Sequence, residues 1–309
     1  MNFVELQNEL FKVVDRKDFE AAQNLIQKAE TDFPERLDKT SFWSACIYSL
    51  QGKQEKAISV LHEAFGKGIW WNPYTLLHDS DLKILKSNEE FQKIVKGCED
   101  IFHYQRLHTK SELFVYGNEN SKKGIFSLHW RGSNVNDFAP YWYDNHMLDQ
   151  YIFGFLQSSQ TYGLNSYCWD NQEIAIQEIS TAFYKFKKER NMEQIIIAGA
   201  SQGGILAIEL SLANKLPMKG FIAVIPAIRD IQSIESLLQA RTSAHLKGCI
   251  ITGDKDPFYK KTMELMEVFK TYNVECKCIV REGLGHFFPD DFPKLLAEAS
   301  QYILEPSIE

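Results

Sequence analysis

The sequence predicts an α/β protein in which a mostly parallel sheet has helices on both faces, preceded by an all-helical segment. Two observations lead to this prediction. Residues 1–105 contain helical patterns and no strand candidate. From about residue 110, short continuous apolar runs alternate with longer helical patterns, which is typical of parallel strands buried on both faces. We therefore expect a helical domain at 1–105 and a sheet-containing domain at 106–309.

The composition excludes several classes of protein. The 309 residues include 34 Lys and Arg against 41 Asp and Glu, a net charge of −7, so we expect no nucleic-acid partner. No run of about 18 apolar residues exists, so we expect no membrane span. The six cysteines show neither a CxxC pair nor metal-ligand spacing. We expect a cytoplasmic protein that needs no metal or cofactor.

The helical segment contains an internal repeat. Three small or apolar residues recur at an offset of 35: Ala22, Ile26 and Ala29 correspond to Ala57, Leu61 and Ala64. This period resembles that of tetratricopeptide repeats. Two such units are too few for a free solenoid, so we expect the segment to lean on the second domain. The helical segment would bind a peptide or protein partner, form one wall of an active site, or serve only as a structural addition.

Seven apolar runs are strand candidates: 112–116, 124–129, 151–156, 194–199, 220–225, 247–253 and 276–281. Five helical patterns lie between and after the later runs: 171–190, 202–214, 230–240, 257–272 and 290–303. Ligands of parallel sheets bind at the carboxyl ends of the strands. The loops that follow these strands are therefore where functional residues are expected.

Ser201 follows the fourth run directly, in the stretch Gly-Ala-Ser-Gln-Gly at 199–203. A sharp strand-to-helix turn exposes the side chain at its tip and demands small neighbours. The same turn leaves the N–H of Gln202 at a helix N-terminus, where negative charge is favoured. A phosphate-binding loop is excluded because no Lys-Ser/Thr pair follows the glycines, and Ser201 stands where a dinucleotide-binding motif needs its second glycine.

A nucleophilic serine needs a base and an acid. His286 lies in the glycine-rich loop after the last strand, between Gly285 and Phe287. The loop after the sixth strand supplies Asp254 and Asp256. We favour Asp256, because Pro257 suits the first turn of a helix, whereas Asp254 would serve the turn. The order Ser, Asp, His is that of the α/β-hydrolases.

With these residues, the chain from about 110 to 305 resembles the α/β-hydrolase superfamily, in particular its carboxylesterase and dienelactone-hydrolase-like branches. The resemblance implies a catalytic triad of Ser201, Asp256 and His286. In that family a loop after an early strand donates an oxyanion N–H. Here the loop reads His129-Trp130-Arg131-Gly132, so the resemblance makes Trp130 or Arg131 the second donor beside Gln202.

Aromatic residues cluster in two segments and are candidates to bind the substrate. Trp169 is the strongest candidate, since Trp169-Asp170 is similar to a Trp-Asp pair of related esterases. Tyr162 and Trp142 are the others, with ordinary core packing as the alternative for each.

The function expected from these residues is a serine hydrolase that cleaves carboxylic esters or thioesters of small molecules through an acyl-enzyme on Ser201. A serine peptidase of the same fold is one alternative. A non-catalytic adaptor that keeps the hydrolase fold and binds partners through its repeats is the other.

Overall fold

The computed structural model describes residues 3–241 and 246–305. The chain divides into two compact units. The first comprises Met1–His108 together with Thr161–Leu164, and the second comprises Thr109–Gln160 and Asn165–Glu309. Seven residues that the sequence analysis places in the second domain, 106–108 and 161–164, thus belong to the first unit.

The described part of the first unit contains six α-helices, which in chain order are α1 (Phe3–Asp15), α2 (Phe19–Asp32), α3 (Leu37–Leu50), α4 (Gln54–Gly66), α5 (Pro73–His78) and α6 (Glu89–His108). Local chemistry sets their ends. The Asp18 carboxylate accepts the N–H of Ala21 and caps α2. Gly52, at φ 74°, makes the tight turn between α3 and α4.

The residues of the internal repeat form the buried faces of two helices. Ala22, Ile26 and Ala29 of α2 and Ala57, Leu61 and Ala64 of α4 are all at most 3% exposed. Small side chains at these positions allow neighbouring helices to pack closely. The repeat at an offset of 35 residues therefore reflects the packing of these helices. The resemblance to tetratricopeptide repeats stays a prediction.

The strands come in chain order as β1 (Glu112–Gly117), β2 (Lys123–Leu128), β3 (Ile152–Gln157), β4 (Thr161–Gly163), β5 (Ser166–Tyr167), β6 (Gln194–Ala200), β7 (Gly220–Val224), β8 (Lys247–Gly253) and β9 (Glu275–Arg281). The remaining helices are α7 (Val135–Phe138), α8 (Asn145–Gln150), α9 (Gln172–Glu189), α10 (Gln202–Leu212), α11 (Ile231–Gln239), α12 (Tyr259–Thr271) and α13 (Phe292–Leu304).

The main sheet has the order β1-β3-β2-β6-β7-β8-β9, and every pair except β1–β3 is parallel. All seven predicted strands are present, and the predicted α/β fold is confirmed. Alternate residues of each strand face opposite cores: Ile196 packs on one side and Ile197 on the other. Helices α9 to α12 cover one face, while α7, α8 and α13 cover the other.

The parallel register brings several strand ends to one edge. Leu128 of β2 lies opposite Gly199 of β6, and Ala200 lies opposite Val224 of β7. The loops that leave these strands therefore meet at the same edge of the sheet. Across the described ranges, no helix is both long enough and apolar enough to cross a membrane.

Candidate active site

Ser201 lies at a sharp turn between β6 and α10. Its backbone has φ 52° and ψ −112°, a conformation that a non-glycine residue rarely adopts. The Ser201 N–H donates to the carbonyl of Val224 at 2.9 Å, which ties the turn to the neighbouring strand. A Cβ on Gly199 would lie 2.3 Å from the oxygen of Gly203, and a Cβ on Gly203 would lie 2.2 Å from the oxygen of Leu128. Only glycine fits at these two positions.

The predicted nucleophile, base and acid are joined in one hydrogen-bonded chain. Nε2 of His286 lies 2.9 Å from Oγ of Ser201, and its Nδ1 lies 3.0 Å from Oδ2 of Asp256. The Asp256 side chain is fully buried, whereas that of His286 is 30% exposed. With a proton on Nδ1, the ring donates to the carboxylate and accepts from the serine hydroxyl. This tautomer is the one that can take the serine proton.

The two candidate carboxylates have different partners. Asp256 also accepts the backbone N–H of Phe258 through Oδ1 at 2.7 Å, so both of its oxygens are engaged. Asp254 instead accepts the N–H of Gly283 at 2.6 Å. Asp254 therefore holds the start of the loop that carries His286, and Asp256 is the carboxylate in contact with the imidazole.

The first turn of α10 faces the same edge of the sheet as Ser201. Gln202 is the first residue of this helix, and the first N–H groups of any helix have no carbonyl partner within the helix. The close approach of Gly203 to Leu128 brings the end of β2 against the start of α10. The loop that contains Trp130 and Arg131 leaves the sheet at this point.

His129 holds that loop from inside. Its ring is fully buried, and burial lowers its pKa from 6.5 to about 4. Nε2 accepts the N–H of Ser158 at 3.3 Å, so Nδ1 carries the proton and donates to the carbonyl of Trp130 at 2.8 Å. A trans peptide points its carbonyl and N–H in opposite directions, so this bond also fixes the orientation of the Arg131 N–H.

Arg131 is bound to Asp170, which the sequence analysis named beside Trp169 without giving it a role. Nε and Nη2 donate to the two oxygens of Asp170 at 2.9 and 2.8 Å. The hydrogen bonds to Arg131, above all, hold the pKa of Asp170 below its ordinary value. The partners are 39 residues apart in the chain, and no local pattern joins them.

Two of the predicted substrate-binding residues are buried. Trp142 is 0% exposed and packs among buried aromatic rings, which favours the alternative of core packing for this residue. Trp169 is 3% exposed, and its indole N–H donates to the carbonyl of His129 at 2.9 Å. Trp169 therefore stabilises the loop after β2 and offers little surface to a ligand.

Tyr162, the third predicted substrate-binding residue, belongs to the first unit. Its carbonyl accepts from Nδ2 of Asn72 at 2.8 Å, and its hydroxyl lies 3.3 Å from Oγ1 of Thr75. These contacts tie the segment Thr161–Leu164 to α5.

Three half-buried aromatic rings form a patch that adjoins the candidate site. We call Trp130, Tyr141 and Phe287 the aromatic patch. Their ring centroids are separated by 6.0 Å (Trp130–Tyr141), 6.2 Å (Trp130–Phe287) and 5.3 Å (Tyr141–Phe287). Trp130 comes from the loop after β2, and Phe287 directly follows His286. The position of Phe287 beside the histidine was the one sequence signal that could have identified it.

One group among the described residues has the spacing to hold a metal ion, and it lies in the first unit. Cys46, Asp79 and Asp81 bring their ligand atoms within 4.8 Å of one another. Burial, followed by the neighbouring carboxylates, raises the pKa of the Cys46 thiol. That shift disfavours the thiolate form that metal binding requires.

The fold and the site define an enzyme of the α/β-hydrolase class. Residues 133–301 match the family described as phospholipase/carboxylesterase, and residues 2–104 match the family described as A/B hydrolase-like, N-terminal domain. The chain belongs to the phospholipase/carboxylesterase family and is a hydrolase of ester bonds. Comparison with curated protein sequences gives no significant match.

Two solved structures illustrate the similarity. An uncharacterized protein from Bacillus cereus ATCC 10987 is 28% identical, with 98% of this chain and 99% of that chain covered and a TM-score of 0.54. Esterase PE8 is 19% identical over 63% of this chain and 98% of its own, with a TM-score of 0.51. The second likeness concerns the fold alone.

Proposed function

We propose that this protein hydrolyses carboxylic esters, and thioesters as well, through an acyl-enzyme on Ser201. The observation that carries the proposal is the hydrogen-bonded chain from Ser201 through His286 to Asp256, located at the N-terminus of α10. A serine hydroxyl becomes nucleophilic when an adjacent base accepts its proton, and the base in turn needs an orienting group.

In the first half-reaction, Ser201 Oγ attacks the acyl carbon while His286 Nε2 takes its proton. The tetrahedral oxyanion accepts hydrogen bonds from the N–H of Gln202 and from the N–H of Trp130 or Arg131, each worth about 3–4 kcal/mol in the transition state. Collapse breaks the bond to the alcohol or thiol, which leaves with the proton of His286.

In the second half-reaction, water attacks the acyl-enzyme and transfers a proton to His286. The bond between the acyl carbon and Ser201 Oγ then breaks, the acid is released, and the proton of His286 returns to Oγ. In both halves Asp256 stabilises the imidazolium without taking its proton. The hydrogen bond from Phe258 N–H keeps the second carboxylate oxygen satisfied while the group is buried.

The aromatic patch gives the acyl group an apolar surface. Its three members are partly exposed; Trp130 lies in the loop after β2, and Phe287 directly follows His286. Apolar area removed from water contributes roughly 25 cal/mol per Å². We therefore propose substrates whose acyl group carries an apolar chain or ring.

Covalent labelling tests the proposal. A fluorophosphonate probe should modify Ser201 in the wild type, as located by peptide mass spectrometry, and His286→Ala should lose the label while remaining folded. A series of p-nitrophenyl esters with increasing acyl length then measures kcat/KM. A folded wild-type protein that neither takes the label nor releases p-nitrophenol would contradict the proposal.

Two further proposals concern the whole chain. All six cysteines are unpaired, as is usual in a reducing compartment, which supports a cytoplasmic location. We also propose that the helical segment, through the end of α6, binds a peptide or protein partner. Tyr104 and Leu107, one turn apart near the end of α6, are 59% and 82% exposed. A peptide library probed with the full chain should give binders that Leu107→Glu no longer captures; unchanged capture by that variant would contradict this surface.

A further inference from the structure

The segment Tyr167–Asp170 runs beside the loop that leaves β2. The N–H of Gly132 donates to the carbonyl of Tyr167 at 2.8 Å, and the N–H of Tyr167 donates to the carbonyl of Ser133 at 2.8 Å. The indole of Trp169 donates to the carbonyl of His129. These three bonds hold the loop on both sides of Trp130 and Arg131 without contacting either residue.

Asp170 contacts the side chain of Arg131 itself. It accepts both guanidinium donors of that side chain in a bidentate pair, the geometry that best fixes two groups relative to one another. Its Oδ1 also accepts Nε2 of Gln202 at 2.9 Å. The Oε1 of Gln202 in turn accepts the N–H of Trp169 at 2.9 Å. One carboxylate therefore bridges the residue after the nucleophile and a residue of the loop after β2.

Gln202 is one oxyanion donor of the proposed mechanism, and Arg131 is one of the two candidates for the other. We propose that Asp170 is a positioning residue that sets the separation between the N–H groups of Gln202 and Arg131. It acts through their side chains and does not touch the substrate. The inference rests on the proposed function, because it concerns how the same site stabilises its oxyanion.

The physical basis is the sensitivity of an oxyanion site to geometry. The donors must be placed before the reaction, since they stabilise charge that exists only in the transition state. A misplacement of about 1 Å costs on the order of 100-fold in rate. Substrate binding in the ground state makes little use of these donors, so a displaced donor lowers kcat and leaves KM nearly unchanged.

Asp170→Ala is the primary test, and Glu119→Ala is its control. Glu119 also accepts from an arginine, Arg190, in an exposed ion pair, so the control removes similar charge and contact elsewhere in the second unit. On p-nitrophenyl acetate, Asp170→Ala should lower kcat by about 10-fold to 100-fold with KM within about threefold. The unfolding midpoint should stay within about 2 °C of the control, because exposed ion pairs contribute little stability.

Three further variants keep the test decisive. Arg131→Ala should reproduce the loss in kcat, and the double variant should be no worse than the larger single loss, since both changes cut the same link. Asp170→Asn retains one acceptor oxygen and should recover part of the rate. If Asp170→Ala fails to fold, Arg131→Ala alone carries the comparison.

The outcomes separate the two proposals. An active wild type in which Asp170→Ala matches Glu119→Ala would overturn the positioning role and leave the proposed function intact. A rise in KM at unchanged kcat would also overturn it, because Asp170 would then act in substrate binding. A wild type that turns over no ester and takes no label at Ser201 would overturn both.

Discussion

Two turns meet at the edge of the sheet, and different forces hold them. The turn at Ser201 is held by the backbone, because Gly199 and Gly203 bring main-chain atoms too close for any side chain. The loop at His129–Ser133 has backbone bonds to Tyr167 as well, and side chains of distant residues add to them: the Trp169 indole donates to the His129 carbonyl, and Asp170 pairs with the Arg131 side chain. One half of the proposed oxyanion site is therefore determined by local sequence, whereas the other half depends on tertiary contacts.

The largest effect is expected where Asp256 orients the imidazole of His286, the proposed base for Ser201. Asp256→Asn should lower kcat by about 10⁴-fold, equivalent to about 5 kcal/mol, because the amide holds the imidazole in the wrong tautomer. The matched variant Asp254→Asn keeps an acceptor for the N–H of Gly283 and should stay within about threefold of wild type. Steady-state kinetics on a p-nitrophenyl ester measures both.

If the two variants exchange these effects, Asp254 is the triad acid and the assignment from contact with His286 is wrong. Circular dichroism on both proteins separates a catalytic loss from unfolding.

A smaller effect is expected from the backbone contact itself. In Gly203→Ala the new methyl group would meet the backbone oxygen of Leu128, so main chain must shift, at a cost of about 3 kcal/mol. Gly66→Ala is the control, since a Cβ there meets nothing within 4 Å and alanine favours the helix. Urea unfolding should show a large loss for the first variant and none for the second. Equal urea-unfolding midpoints for the two variants would contradict the claim that steric contacts of the backbone hold this turn.

The smallest effect concerns the side-chain-held loop and depends on pH. The pKa of His129 is lowered from 6.5 to about 4, so the unfolded chain binds its proton more readily than the folded protein does. The contribution of the neutral His129 ring to the free energy of unfolding is fully present above pH 6.5. This contribution falls by at most about 3 kcal/mol as the pH is lowered from 6.5 towards 4.

The variant His129→Asn lacks this titration and keeps a donor for the carbonyl of Trp130. The difference between the unfolding free energies of wild type and variant should therefore shrink as the pH is lowered from 7.5 to 4.5. Other acidic groups titrate in both proteins and cancel. A difference independent of pH would mean that His129 is not buried as a neutral ring.

The sequence was informative wherever the constraint was local. Apolar runs located all seven strands of the main sheet. The five inner strands are buried on both faces, so no polar side interrupts their runs. The small residues around Ser201 indicated the turn for the steric reason now visible at Gly199 and Gly203. The hydrogen bonds from His286 to Ser201 and Asp256 join the three residues that the sequence analysis had grouped. Their catalytic roles stay a proposal.

Other features depend on partners far away in the chain. Trp142 and Trp169 are both aromatic and both lie in loop regions, yet one fills the core and the other holds a backbone carbonyl. No sequence pattern within a few residues of either tryptophan distinguishes a buried structural role from exposure at a binding site. Arg131 could not be paired in advance with Asp170, because the bond between them exists only after β2 and β5 are placed.

The backbone of Ser201 has one more consequence, for anyone who would improve this protein. A serine held at φ 52° and ψ −112° stores about 1–3 kcal/mol that a glycine at the same position would not. A selection that rewards heat resistance alone would favour glycine at position 201 and discard the hydroxyl. Thermal robustness and chemistry are opposed at this single residue, so each round of such a selection needs an activity screen beside it.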